Sequence, residues 1–278
     1  MSGNSDQATF WSTEAGRNWV TFRHALDAVM APVLDLVLNH ADLQPGETVI
    51  DIGCGTGAST LRAAETVGPS GAVHGYDISP VMLDLAAQRT ADLDNVTLTE
   101  ADAQDHTFAK GAADALISRF GVMFFADPTA AFANLAHALR PGGRMVMAAW
   151  GPAAQNPWFM DPARVARERL GTPPKVDRTL PGPFAFEDAD RVTRLLSAAG
   201  LDVTVTPVDL RLGALATLDD LAEQSCNIGP AVGIMRDFDA TDADRKAIRA
   251  GIAEAFSAYD TQSGVRVPAR INLITARV

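Results

Sequence analysis

The sequence predicts an α/β fold built on an open, mostly parallel twisted sheet with helices on both faces. Three observations predict it. Five short apolar runs, at 47–53, 71–77, 95–102, 112–119 and 143–150, follow one another at similar intervals. Helical candidates at 57–67, 79–92 and 127–139 lie between them, and a glycine turn closes the first run. Strands that alternate with helices imply parallel pairing and right-handed crossovers. Ligands on such sheets bind at the carboxyl ends of the strands, so the residues there are the ones to read.

The elements follow in order. Residues 13–42 carry helical signals: Ser12 and Thr13 can cap, and Trp19, Phe22, Leu26, Val29, Val33, Leu36 and Val37 recur at three- and four-residue steps. Pro32 is a candidate break in one or two helices there. Gln44-Pro45-Gly46 punctuates before the alternating region begins. After Trp150 come Pro152, Pro157, Pro162, Pro173, Pro174, Pro181 and Pro183, which predict a loop-rich segment over 151–186, a lid or a surface excursion. A helix at 187–199 ends at Gly200, a strand follows over 201–212, residues 217–259 read as helical, and 265–278 as a last strand.

Composition narrows the partner. With 278 residues, 47% hydrophobic and 21% charged, the chain can bury an ordinary core. A net charge of -11 disfavours nucleic acid, whose binding draws most of its affinity from Lys and Arg displacing counterions. The most apolar early segment, AVMAPVLDLVL, is broken by Pro32 and Asp35, so neither export nor a membrane span is expected. Cys54 and Cys226 read as free thiols without metal-site spacing, which suits a reducing cytoplasm and predicts no metal. A small molecule is the expected partner, and a homodimer is compatible with the composition.

Val49–Thr60, VIDIGCGTGAST, sets Gly53, Gly55 and Gly57 at alternate positions between a strand and a helix, where the backbone can approach a ligand closely. Gly53, Gly55 and Ala58 also satisfy G-x-G-x-x-G/A, and Asp77 stands twenty residues past Gly57, as in a nicotinamide dinucleotide enzyme. Charge argues against that alternative. Asp51 precedes the glycines, Asp77 and Asp102 end the next two strands, and a pyrophosphate would be repelled. S-adenosylmethionine suits these acids better. Its amino group matches Asp51, its ribose diol Asp77 and its adenine amine Asp102.

The segments VIDIGCGTG, GYDIS, EADAQ and LRPGGRMVMAAW resemble, in order and spacing, the motifs of class I S-adenosylmethionine-dependent methyltransferases over about residues 45–150. With FWSTEAGRNW, ISRFGVMFFADP and the final strand pair, the whole chain looks more loosely like small-molecule members related to the ubiquinone- and menaquinone-biosynthesis methyltransferases. The resemblance implies a Rossmann-like seven-stranded sheet with its final strand antiparallel. It further implies a helical cover over 1–43 and a main domain over 44–278, with a helical insertion at 213–263. S-adenosylmethionine is the implied cofactor, S-adenosylhomocysteine the product and a small-molecule O, S or C nucleophile the acceptor.

The same resemblance implies site residues. Asp51, Gly53, Cys54, Gly55 and Gly57 cradle the methionine part, and Asp77 holds ribose. Ile78 and Met82 flank the adenine, with Asp102 and Ala103 at its amine. Ser118 and Arg119 lie beside the methionine tail, and Trp11 and Trp19 sit on the cover with Glu14 and Gly16. His106 and His24 are the candidate bases for a hydroxyl acceptor, and Arg119 suits an anionic acceptor or the cofactor carboxylate. Asn156-Pro157-Trp158 resembles a segment near the substrate cavity. The SRFG after the fourth strand departs from the Pro-Pro-aromatic pattern of adenine and amide methylation. A non-catalytic S-adenosylmethionine-binding subunit is the remaining alternative, since binding motifs say nothing of turnover.

Overall fold

A computed structural model of the chain describes residues 4–214 and 217–278, so residues 1–3 of the expected cover and 215–216 of the expected insertion lie outside the described residues. Three helices open the fold, α1 (Ser5–Ser12), α2 (Glu14–Thr21) and α3 (Arg23–Ala41). The alternating region is β1 (Thr48–Ile52), α4 (Ala58–Val67), β2 (Ala72–Asp77), α5 (Pro80–Arg89), β3 (Val96–Glu100), β4 (Ala113–Arg119), α6 (Pro128–Ala138) and β5 (Leu139–Trp150). Then come α7 (Pro157–Leu170), α8 (Ala189–Ala198), β6 (Asp202–Ala214), α9 (Leu218–Ser225), α10 (Pro230–Asp237), α11 (Asp242–Phe256) and β7 (Val265–Arg277).

The seven strands form one sheet in the order β3-β2-β1-β4-β5-β7-β6. Pairings β1 to β2, β2 to β3, β1 to β4 and β4 to β5 are parallel, whereas β7 runs antiparallel between β5 and β6. Strand order reverses between β1 and β4, so right-handed crossovers put α4 and α5 on one face and α6 on the other. That reversal opens the crevice where β1 and β4 part. The central strands read as apolar runs because both faces are covered: Ala115, Leu116 and Ile117 of β4 and Met145, Met147, Ala148 and Ala149 of β5 are fully buried.

One expectation changes. Pro32 does not break a helix, since α3 runs unbroken through it. The carbonyl that Pro32 leaves without its helical partner belongs to Ala28, on the exposed face of α3. The segment 151–186 is loop on either side of the 14-residue α7, whose first turn holds Pro157, where a proline costs no hydrogen bond. Its buried Pro162 and Trp158 pack the helix inward. Among its described residues the insertion holds three α-helices and a 3-10 turn at Ser257–Tyr259, and capping boxes open two of the helices, Thr217 with Asp220 and Thr241 with Asp244. Among the described residues no helix is long and apolar enough to cross a membrane.

Candidate functional site

The glycine turn is tied from below. The N–H groups of Gly53 and Cys54 both donate to Tyr76 O, and that of Gly57 to Cys54 O. Gly53 has φ +65, and a Cβ there would lie 2.6 Å from Gly121 Cα, so the β1 and β4 loops touch backbone to backbone. Gly57, at φ +83, starts α4 against Ala86 of α5 and takes no part in the cavity wall. Gly57 therefore packs α4 against α5 and is set back from the cavity wall.

Asp51 is also not at the mouth of the turn. It is fully buried beneath it, where Oδ2 accepts from Ser59 Oγ and Thr60 Oγ1, both at 2.7 Å. Oδ1 has no partner among the described residues, and burial raises the carboxyl pKa against those two hydrogen bonds and the Arg119 charge. Asp77 does face the cavity. Its Oδ2 accepts from Gly55 N at 2.7 Å and Oδ1 from Ser79 N at 2.9 Å. Burial pushes its pKa up to about 6 despite those bonds, with the nearby Asp51 charge adding to the rise. Gly55 N is thus committed to a carboxylate, and with Gly53, Cys54 and Gly57 also engaged the turn has no N–H of these four to offer a pyrophosphate.

Asp102, past β3, accepts from Gln104 N and from Asn4 Nδ2, both at 3.0 Å, while its buried Oδ2 has no partner among the described residues. Arg119 ends β4 with Nη2 3.9 Å from Asp27 Oδ1 and its buried Nη1 without a partner among the described residues. Asp27 is held more tightly by Arg89 at 2.8 Å, which also donates to Thr56 O of the turn. Burial lowers the Arg119 pKa, and Asp27 and Asp51 oppose that.

These groups line a cavity of about 600 Å³ at the carboxyl edge of the sheet, within the usual range for small-ligand sites. Of the expected residues, Trp11, Trp19, Gly53, Cys54, Gly55, Asp77, Ile78, Met82, Asp102, Ala103 and Arg119 are on its wall. Asp51, Gly57 and Ser118 are not. Ser118 Oγ donates to Ile52 O at 2.7 Å and accepts from Gly121 N, which clamps the two strand ends together. The candidate bases are corrected too. His24 is exposed on α3, and His106 packs against Tyr76 and Phe108, its ring centroid 5.1 and 4.8 Å from theirs. Neither reaches the wall. Asn156 is structural, its amide spent on Gly151, Pro152 and Arg270, but Trp158 does line the cavity.

The first helices close over this space. Ser79 Oγ donates to Trp11 O at 2.7 Å, and Gly16 approaches so near that a Cβ would lie 2.0 Å from the same carbonyl. Asn4 bridges Asp102 and Ala126 N, and Asn18 Nδ2 reaches Asn227 O of the insertion at 3.0 Å. Trp11 meets both Trp19 and Phe124 edge-on.

Sequence reasoning missed Asn4, the Phe120–Phe125 loop as a wall, and the 227–236 stretch. The usable signal was Phe120, Phe124 and Phe125 in a loop, outside any helical or strand period. Phe120 sits at φ +68, a left-handed backbone unusual for an aromatic residue. Among the described residues no cluster of His, Cys, Asp and Glu could hold a metal ion.

Residues 49–143 match a family model described as a methyltransferase domain. The chain is 33% identical over 195 residues to a nocamycin O-methyltransferase of Saccharothrix syringae, covering 66% of this chain and 69% of that one. It is 33% identical over 110 residues to a demethylmenaquinone methyltransferase of Staphylococcus aureus, covering 40% of this chain and 46% of that enzyme. Its fold is similar to a phosphoethanolamine N-methyltransferase 2 of Haemonchus contortus solved with S-adenosylhomocysteine, with a TM-score of 0.58 and 17% identity. That match spans 100% of this chain and 60% of the other.

Proposed function

The chain belongs to the S-adenosylmethionine-dependent methyltransferases, and from that premise we propose that it passes a methyl group by in-line displacement to a small-molecule acceptor. One observation carries the reading of the site. Asp102 Oδ2 and Arg119 Nη1 are buried, unpaired and borne by residues of the cavity wall, with Asp77 between them in the strand order. Leaving such atoms without partners costs about 1–3 kcal/mol each, which a ligand with complementary groups offsets.

S-adenosylmethionine has those groups. Asp102 Oδ2 would accept from the adenine amine, Asp77 from the ribose hydroxyls, and Arg119 Nη1 would meet the carboxylate of the methionine part. Ile78, Met82 and Ala103 supply apolar contact for the adenine. Asp51, which touches the turn from beneath, acts as a positioning residue: it roots α4 through Ser59 and Thr60 and balances Arg119. When bound, the cofactor supplies an electrophilic methyl group.

The remaining work of the chain is placement and exclusion of water. The cover, latched at Asn4, Ser79 and Asn18, keeps solvent from the reacting atoms, and an ordered, dry geometry supplies much of the rate of such a displacement. A small acceptor is supported by the relatives, whose names specify nocamycin and demethylmenaquinone chemistry. The net charge of -11 argues against a nucleic-acid acceptor. The buried free thiols of Cys54 and Cys226 support a reducing, cytoplasmic setting.

Calorimetric titration with S-adenosylmethionine tests this on the wild type and on Asp77→Ala. Two hydroxyls on one carboxylate are worth roughly 2–4 kcal/mol, so affinity should fall about 30- to 1000-fold. A wild type that does not bind, or a variant that binds equally, overturns the assignment.

A further inference from the structure

Asp102 sits in a loop whose backbone is held from α6. Asn134 donates through Nδ2 to Ala103 O at 3.2 Å, Gln104 O at 3.1 Å and His106 O at 2.8 Å. What is left to decide is the torsion of the Asp102 carboxylate, and two N–H groups decide it. Gln104 N meets Oδ1 at 3.0 Å from two residues along the chain, a local turn that an aspartate makes readily. Asn4 Nδ2 meets the same oxygen at 3.0 Å, and it comes from the cover.

The Asn4 amide has one workable orientation. Its Oδ1 accepts from Ala126 N at 2.8 Å, a group that only donates, while its Nδ2 faces a carboxylate, which only accepts. Turned over, the amide would lose both bonds, and with 4% of the residue exposed there is little water to replace them. Asn4 is therefore a fixed donor, braced on the loop after β4. It holds Oδ1 of Asp102 and leaves Oδ2, buried and without a partner among the described residues, to a ligand.

A carboxylate held at one angle reads the edge of a purine. A 6-amino purine brings an N–H donor at C6, whereas a 6-oxo purine brings a carbonyl oxygen that a carboxylate repels, and carries its N–H on the neighbouring ring nitrogen. A carboxylate free to turn could follow the N–H to its new place. One pinned at Oδ1 cannot, and buried polar atoms that the wrong ligand leaves unpaired discriminate strongly. Resting on the methyltransferase reading above, we propose that Asn4 is a positioning residue that locks Asp102 from the cover and so makes the site select a 6-amino purine cofactor over its 6-oxo counterpart. Because the donor stands immediately before α1, the selection exists only while the cover is closed.

The test is calorimetry on the full chain with two probes, S-adenosylhomocysteine and S-inosylhomocysteine, which differ in carrying an amino or an oxo group on the base. Wild type should bind the first about a hundredfold or more tighter. In Asn4→Ala that preference should fall by about tenfold or more, through weaker binding of S-adenosylhomocysteine. Asn4→Asp, measured at pH 8, keeps an acceptor for Ala126 N but loses the donor to Asp102, so its preference should fall as far; this separates aiming Asp102 from merely bracing Ala126. Asn18→Ala, which unlatches the cover from Asn227 O, should weaken both probes by the same factor. A smaller fall in Asn4→Ala, a preference kept in Asn4→Asp, or one lost equally in Asn18→Ala would overturn the proposal, as would a wild type that binds both probes alike. A wild type that fails to bind S-adenosylhomocysteine would instead sink the function itself, which keeps the two failures apart.

Discussion

Replacing Asp77 by Asn should make the ligand-free protein more stable at pH 8 while removing its affinity for S-adenosylmethionine. Burial raises the Asp77 carboxyl from 3.8 to about 6, so the folded state disfavours the ionised form. The sign follows directly: the cost is absent below pH 4, grows between 4 and 6, and is fully present above 6. That rise corresponds to about 3 kcal/mol at pH 8. The Asn amide returns part of this, because Gly55 N and Ser79 N donate to opposite oxygens and one must then face an NH2 group, at a cost of about 1–2 kcal/mol. A net gain of about 1–2 kcal/mol should raise Tm by roughly 2–6 °C at pH 8. At pH 4 only the hydrogen-bond loss remains, and the variant should melt no higher than wild type. Thermal unfolding without ligand at both pH values checks this, and a variant that loses as much stability at pH 8 as at pH 4 refutes the reasoning.

Other outcomes follow from the same geometry. Cofactor affinity of the wild type should weaken toward a tenfold loss per pH unit below about 6, as Asp77 takes up a proton, which titrations from pH 5 to 8 would record. Arg119→Met should lower S-adenosylmethionine affinity about 30-fold or more by calorimetry yet shift Tm little, since Asp27 keeps its 2.8 Å contact with Arg89. Asn4→Ala removes the bridge between Asp102 and Ala126 and should speed cofactor release about tenfold in stopped-flow measurements. In Gly53→Ala the new Cβ meets Gly121 Cα at 2.6 Å with φ at +65, so Tm should fall by the equivalent of about 2–4 kcal/mol.

The sheet was legible because its signals are local and repetitive. Each apolar run is short, each crossover helix has a cap or a period, and the carboxyl edge follows from topology. Asp77 and Asp102 were legible for the same reason, standing where strands end. Asp51 and Ser118 were misplaced because spacing along a strand tells which residue is near an edge, whereas one step in register decides whether its side chain looks into the cavity or into the packing beneath. The histidines failed differently. His106 is near the site in sequence, but an imidazole beside Tyr76 and Phe108 gains more from ring packing than from reaching a wall. Asn4 and the 227–236 stretch come from opposite ends of the chain, and no local pattern announces a contact over that separation.

The position of β7 has a consequence for how the molecule is made. This strand is not at a border of the sheet but between β5 and β6, with thirteen residues paired along β6. Until Val265–Arg277 are in place, β5 and β6 face each other across a gap with open hydrogen-bonding edges. A product halted before Val265 would expose both edges together with the apolar rows that Ile271, Leu273 and Ile274 cover. Such a fragment should pair with its own kind and fall out of solution.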